Sequence, residues 1–353
     1  MITVQVQKSR DEIREKLKND VEFQTHIGDL KSCTSLYKRV QDDRIRIGNR
    51  NKVKKDGSQQ KDNPHGKNDY PISNEQGEFM KELLEHLKRY EDIICERFNT
   101  VLKEDEIYKR YLDNLPGIGP KISVVLLAHF RPENFYYASN LVSYAGIAPG
   151  HWDEPAGYDE TKPFNGGTAE TPFVKVWVPG KDRQKKGEKT HYPPFLKARL
   201  LGVMGPSFVK LGSPYSIHYY NYKLRKLQIE TAKPEDERRK LFHINRMANR
   251  YMVKMFIIDY FLAASKIYGM ATPLSWQEER GLEHVGQTYF TYEAFLDKEL
   301  TKEQKAYFKD IIKGKRAECL AFMKANGWKE EDKDLEEEED SEKVLADEAA
   351  SGE

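Results

Sequence analysis

Leu83, Leu87, Tyr90, Ile94, Phe98 and Val101 recur at spacings of four, three, four, four and three residues. A backbone of 3.6 residues per turn puts all six side chains on one side, and an extended strand scatters them over both faces. The spacing therefore predicts one long amphipathic helix, with Ser73 and Gln76 forming a capping box at its start. Such a stripe must be covered. Two readings stand: a coiled-coil arm joining two copies of the chain through residues 73–112, or a helix packed on its own domain.

Later segments carry the same signature. "EDEIYKRYLDNL", "KISVVLLAHF", "NFYYASNLVSY", "PPFLKARLLGVMGPSFVKLG" and "HINRMANRYMVKMFIIDYFLAASKIYG" read as helices, and 292–327 as a helical C-terminal section. Gly146 and Pro149 stop the third of these. Two pieces read otherwise: the alternation of Ile2, Val4 and Val6 suggests a short strand, and "TPFVKVWVP" another within a Gly- and Pro-rich stretch at 151–190. The expected fold is mainly α: a long helical arm followed by a helical domain with a small β/loop insertion.

At 353 residues the chain is long enough for about two domains. The start has no apolar run of the signal-peptide kind, and the most apolar stretch, "MFIIDYFLAA", is short and contains Asp259. Asp259 is expected to be buried and hydrogen-bonded. Cys33, Cys95 and Cys319 lie far apart and make neither a disulfide framework nor a zinc motif. A cytoplasmic protein without a membrane span is the expectation. The formal charge of +1 conceals a division: residues 329–353 hold 13 acidic side chains and 3 lysines, leaving a basic body ahead of an acidic tail expected to be disordered. That balance permits nucleic-acid binding without requiring it.

The motif richest in chemistry is Leu115-Pro116-Gly117-Ile118-Gly119-Pro120-Lys121, between two helical segments. A dinucleotide fingerprint needs a strand before it and a third glycine where Ile122 stands; a phosphate loop needs Lys-Ser/Thr after the second glycine. What remains is helix, glycine turn, helix. Such a turn can aim the amides of Gly117, Ile118 and Gly119 at one phosphate, with the helix N-terminus and Lys121 adding positive charge. It can equally be a tight corner with no ligand.

Three basic groups extend the possible footprint. Lys181, Arg183, Lys185, Lys186 and Lys189 form a dense loop flanked by Trp177 and Tyr192, and aromatics beside cations can stack on unpaired bases. Arg246, Asn249, Arg250 and Lys254 share one side of a helix, with His243 at its entry; a basic ridge and a merely solvated face are both consistent with that spacing. Arg39, Arg44, Arg46, Arg50, Lys52, Lys54 and Lys55 precede a polar stretch that reads as a mobile loop. No His-x-x-x-His pair points to a zinc hydrolase, and Asp42 with Asp43, being adjacent, make a poor metal pair.

Residues 115–150, "LPGIGPKISVVLLAHFRPENFYYASNLVSYAGIAPG", resemble the C-terminal domain of insertion-sequence transposases of the 110/116/902 family. Phe135, Ala138, Leu141, Tyr144, Ala145, Gly146, Ala148 and Pro149 fit that family's pattern, with Ile147 in place of Leu. The resemblance extends more loosely over about residues 75–270. It implies a helix-hairpin-helix, DNA transposition or recombination, duplex DNA as partner and, by analogy, a structured RNA. Family members also carry an N-terminal ribonuclease-H-like domain that binds divalent metal, and a serine soon after the Gly-Leu-Ala-Pro segment. Here no acidic residue lies in the 2–6 stretch, and no serine occurs between Ser143 and Ser207. Thr168, beside two glycines, is the one weak candidate nucleophile, and Ser207 reads as a helix-start cap. No cofactor is evident, and Mg2+ is expected only if the chain is catalytic. The expected organisation is an N-terminal arm (1–72), a long helix (73–112), a transposase-like domain (113–270), a helical extension (271–328) and the tail (329–353). The expected function is DNA-backbone binding, the alternative a non-catalytic scaffold of the same descent.

Overall fold

The computed structural model describes residues 4–50, 74–148, 150–153, 176–179, 192–273 and 290–328. The fold is mainly α. Helices α1 (Val4–Asn19), α2 (Val21–Arg50) and α3 (Asn74–Leu102) precede a run of shorter helices: α4 (Glu106–Arg110), α5 (Pro120–His129) and α6 (Ala138–Tyr144). Then come α7 (Pro194–Arg199), α8 (Gly205–Lys210), α9 (Ser216–Thr231), α10 (Leu241–Ile267) and α11 (Lys302–Ala325). Two short strands, β1 (Gly150–Asp153) and β2 (Val176–Pro179), pair antiparallel with Trp152 opposite Trp177. The strand expected at 171–179 is thus present over its last residues; Ser73, the expected helix cap, lies outside the described residues, as does the acidic tail.

The strand expected at residues 2–6 is not formed, because helix α1 begins at Val4. A two-residue period over five residues is outweighed by the charges of the next three turns: Lys8–Glu12, Asp11–Arg14 and Glu15–Lys18 are ion pairs one helical turn apart. Asp20 then caps α2 by accepting from the Phe23 amide at 3.0 Å. The first part of the basic run is helical. Arg39, Arg44 and Arg46 ride on α2, where Arg44 contacts Glu91 at 2.6 Å and Arg46 contacts Asp43 at 3.5 Å.

Helix α3 runs antiparallel to α2. Gly48 lies beside Leu84, Arg44 beside Glu91, Tyr37 packs edge-on against Phe98, and Asp29 faces Arg97. The stripe is therefore covered mainly by the chain's own α2. Phe98 and Val101 are buried, Leu83, Leu87 and Ile94 half-buried, and Tyr90 is exposed together with Phe79 and Ile93.

Helix α10 is the axis of the body. Ile244, Ala248, Met252, Val253, Phe256, Ile257, Tyr260 and Ala264 are all inaccessible to solvent, so the helix is surrounded by α6, α8, α9 and α4. Phe208 stacks on Tyr215 at 5.4 Å, and Phe256 meets both edge-on. In that aromatic cage the Tyr215 hydroxyl donates to Asp259 Oδ2 at 2.8 Å, and Tyr111 stands 3.0 Å behind it. Since Tyr215 spends its proton on the carboxylate, Tyr111 is the donor in the second bond. Asp259 is half-buried as a residue and bonded as its position in an apolar run suggested, and desolvation pushes its carboxyl up to about 7 despite the tyrosine.

Helix α1 is fastened at its edge by Arg14, which donates to Glu133 O at 2.7 Å, and by Asp11, which accepts from the Tyr136 hydroxyl at 2.7 Å, but one side chain carries it into the core. Arg10, fully buried, is the only buried residue of that helix. Its guanidinium donates to the carbonyls of Pro132 (2.7 Å), Phe135 (2.7 and 3.1 Å) and Ala271 (3.0 Å) and to Ser265 Oγ (3.2 Å). It also lies over the Phe261 ring.

Candidate nucleic-acid interface

The glycine turn is built as a corner. After a 3-10 turn at Leu112–Asn114, the Ile118 amide donates to Leu115 O at 3.2 Å and Ile118 packs inward. Gly117 has φ +91°, and a Cβ there would meet the Phe208 ring at 2.9 Å and its Cα at 3.3 Å. Ser207 Oγ, expected to be a helix cap, instead donates to Gly117 O at 3.0 Å from inside α8. Gly119 is different: its backbone is extended and a Cβ would meet nothing within 4 Å. With the Ile118 amide engaged, the amides of Gly119 and Lys121 have no backbone partner among the described residues.

Lys121, exposed in the first turn of α5, is where the turn meets other elements. Its ammonium lies 5.9 Å from the centre of the Tyr37 ring on α2; the Arg199 guanidinium from α7 lies 5.4 Å from the same ring. Arg199 also covers Phe195 at 5.0 Å, and Lys38 approaches that ring at 5.3 Å. Three cations from three helices thus gather around two aromatics, and none has a carboxylate ion-pair partner among the described residues. Their field reaches neighbouring groups: burial raises the Tyr37 phenol, opposed by Arg199 and Lys121, and burial lowers His129, helped by Lys31 and Lys38. On the other side of Lys121 a cleft of about 330 Å3 is lined by Asp92, Cys95, Glu96, Asn99 and Pro120. Two carboxylates there make that side unfavourable to an anion, whereas the Tyr37 and Phe195 side carries only cations and aromatics of the cluster.

The second resemblance segment borders this region. Gly146 closes α6 with φ +69°, the Ile147 amide bonding back to Val142 O at 3.2 Å. A Cβ on Gly146 would lie 2.6 Å from the Tyr192 ring, so glycine is what lets Tyr192 settle there. Lys197, on the opposite flank of α7 from Arg199, covers that ring at 4.6 Å.

On α10, Arg246 lies over Phe242 at 5.1 Å, Lys254 is exposed and Arg250 is half-buried. Asn249 does not join a ridge. Its amide nitrogen donates to Leu201 O at 2.8 Å, and it fills the space above Gly205. Thr168, Lys181, Arg183, Lys185, Lys186 and Lys189 lie outside the described residues, as do Lys52, Lys54 and Lys55. Sequence reasoning passed over Lys38 and Arg199. The one local signal was the four-residue spacing of Phe195 and Arg199, which stacks an aromatic and a cation on one helix face.

Among the described residues no three His, Cys, Asp or Glu side chains gather as metal ligands. No helix among them is long and apolar enough to cross a membrane. The chain matches no family model, no curated protein and no solved structure.

Proposed function

We propose that this protein binds DNA through its phosphate backbone, as a relative of insertion-sequence transposases. The observation that carries the reading is the convergence of Lys38, Lys121 and Arg199 on Tyr37 and Phe195, with no carboxylate paired to them among the described residues. Cations with no paired carboxylate to give up lose little on meeting phosphate, and release counterions when they do. The glycine corner contributes by fixing Lys121, and by presenting the Gly119 and Lys121 amides at the start of α5. Arg246, Arg250 and Lys254 extend the footprint. Contacts of this kind position a protein on a duplex without reading bases.

The test is binding of labelled duplex DNA across a salt series, comparing wild type with Lys38→Glu/Lys121→Glu/Arg199→Glu. The slope of log affinity against log salt should flatten by about 0.9 for each phosphate no longer neutralised, or roughly 3 in all. Equal slopes in the two proteins, with matching circular dichroism, would refute the assignment. A structured RNA in place of the duplex tests the RNA partner that the resemblance implies.

The same reading includes pairing of two copies through α3. If two α3 helices cross antiparallel about His86, Phe79 meets Ile93 and Glu75 meets Arg97 of the other copy, so apolar and charged positions both match. Ile93→Glu should then shift the sedimentation coefficient to the monomer value, and an unchanged profile rejects the pairing.

A further inference from the structure

The outward side of α9 and α10 carries a feature that duplex-backbone binding does not use. Tyr222 on α9 and Tyr251 on α10 stack with centres 4.8 Å apart and planes 24° from parallel. The Arg225 guanidinium lies 5.0 Å from the centre of the Tyr222 ring and the Lys226 ammonium 5.5 Å from it. Both rings are only half-buried, and Arg225 and Lys254 are exposed. In α9 the sole acidic residue is Glu230, which is buried and held by Lys233; in α10 it is Asp259, inside the aromatic cage. The platform therefore combines two half-buried, partly accessible aromatic rings with positive charge and without a carboxylate of its own helices.

Duplex DNA offers phosphates but keeps its base faces stacked inside. Unpaired nucleotides offer both, and each base has a π-face that a tyrosine or guanidinium plane can cover. We infer that the Tyr222–Tyr251 stack with Arg225 and Lys226 is a binding surface for unpaired nucleotides, separate from the Lys38–Lys121–Arg199 cluster. This rests on the reading of the chain as a nucleic-acid binder and adds the class of nucleic acid: one with single-stranded segments, in DNA or RNA.

The experiment titrates the full-length protein with three fluorescent probes: a 15-mer of dT, a 15-mer of rU and a 20-base-pair duplex. Tyr222→Leu/Tyr251→Leu should weaken both single strands about fivefold to 100-fold, from the usual worth of one or two stacked bases, and leave duplex affinity unchanged. Arg225→Glu/Lys226→Glu, at the surface, guards against a tyrosine variant that fails to fold and should show the same selective loss. Equal loss for dT and rU indicates recognition of base faces; loss for rU alone assigns the surface to RNA, and both support the inference. Single-strand affinity unchanged in both variants, with the wild type still binding duplex, overturns the platform and leaves the backbone reading standing. A wild type that binds none of the probes overturns both.

Discussion

Removing the Arg10 guanidinium takes away the one fully buried anchor of α1 and leaves the Arg14–Glu133 O and Tyr136–Asp11 bonds in place. Arg10→Met keeps most of the side chain's length and apolar stem but removes the donor from four acceptors, the carbonyls of Pro132, Phe135 and Ala271 and the hydroxyl of Ser265, of which only Pro132 O keeps another among the described residues, the Phe135 amide at 3.2 Å. A buried acceptor left without a donor costs about 1–3 kcal/mol. Against this stands relief from burying a charge, which holds the guanidinium down to about 10, still ionised at neutral pH. The acceptor loss is the larger effect, and the net cost should be about 3 kcal/mol. Because the rest of α1 is at most half-buried, the loss should first appear as undocking of residues 4–19. Hydrogen exchange would read it as α1 amides losing protection while those of α10 keep theirs, and urea denaturation as a lower midpoint. Arg10→Lys, whose single nitrogen cannot reach all four acceptors, should fall between. If Arg10→Met matched wild type within about 0.5 kcal/mol with α1 equally protected, docking by this fork would be wrong.

Asp259 has a folded value near 7 against 3.8 unfolded, so its protonated form is favoured in the fold. Its stabilising share is full below about pH 4 and lost as pH rises through about 7; Asp259→Asn should therefore gain up to about 4 kcal/mol on wild type between pH 4 and pH 8, read as thermal midpoints. His218 is the reverse case: burial lowers it from 6.5 to about 4, so stability is full above pH 6.5 and falls as pH drops toward 4. His218→Phe should flatten that acid limb by up to about 3 kcal/mol, and an unchanged limb would count against a buried neutral imidazole. Gly117→Ala should cost about 2–4 kcal/mol through left-handed strain and the Phe208 contact, whereas Gly119→Ala should stay within about 0.5 kcal/mol. Equal effects in urea melts would refute this division of labour between the two glycines.

The helices were legible because apolar periodicity is a local property, and α3, α5, α6 and α10 follow from it. Val4 and Val6 misled because two alternating positions cannot outweigh the charge pairs behind them. Strand β1 gave no signal, since Gly150–Asp153 becomes a strand only by pairing with Val176–Pro179. The buried stripe of α2 is interrupted by Thr34 and Gln41, buried polar residues that hide a helix inside an apparently basic arm. Asp259 could be read as a bonded carboxyl, but its tyrosine partners could not. The cation cluster was half legible: Lys121 announced itself beside two glycines, while Lys38 and Arg199 join it only when α2, α5 and α7 pack together.

Between α7 and α8 the helix does not restart but widens. Leu200–Met204 form a π turn in which the Gly205 amide reaches back five residues to Leu200 O, while Asn249 bonds Leu201 O from the side. One residue more than an α-helix needs has been accommodated without breaking the rod. Taking one residue out of 200–204 would regularise the helix and make it stronger as an isolated element. It would also turn everything beyond by about 100° relative to Arg199. Ser207 and Phe208 would then miss Gly117, and the corner that fixes Lys121 would lose its floor. The spacing between the basic cluster and its support is thus stored as a single inserted residue, which makes this stretch intolerant of length change even where its exposed side chains, such as Val203, are free to vary.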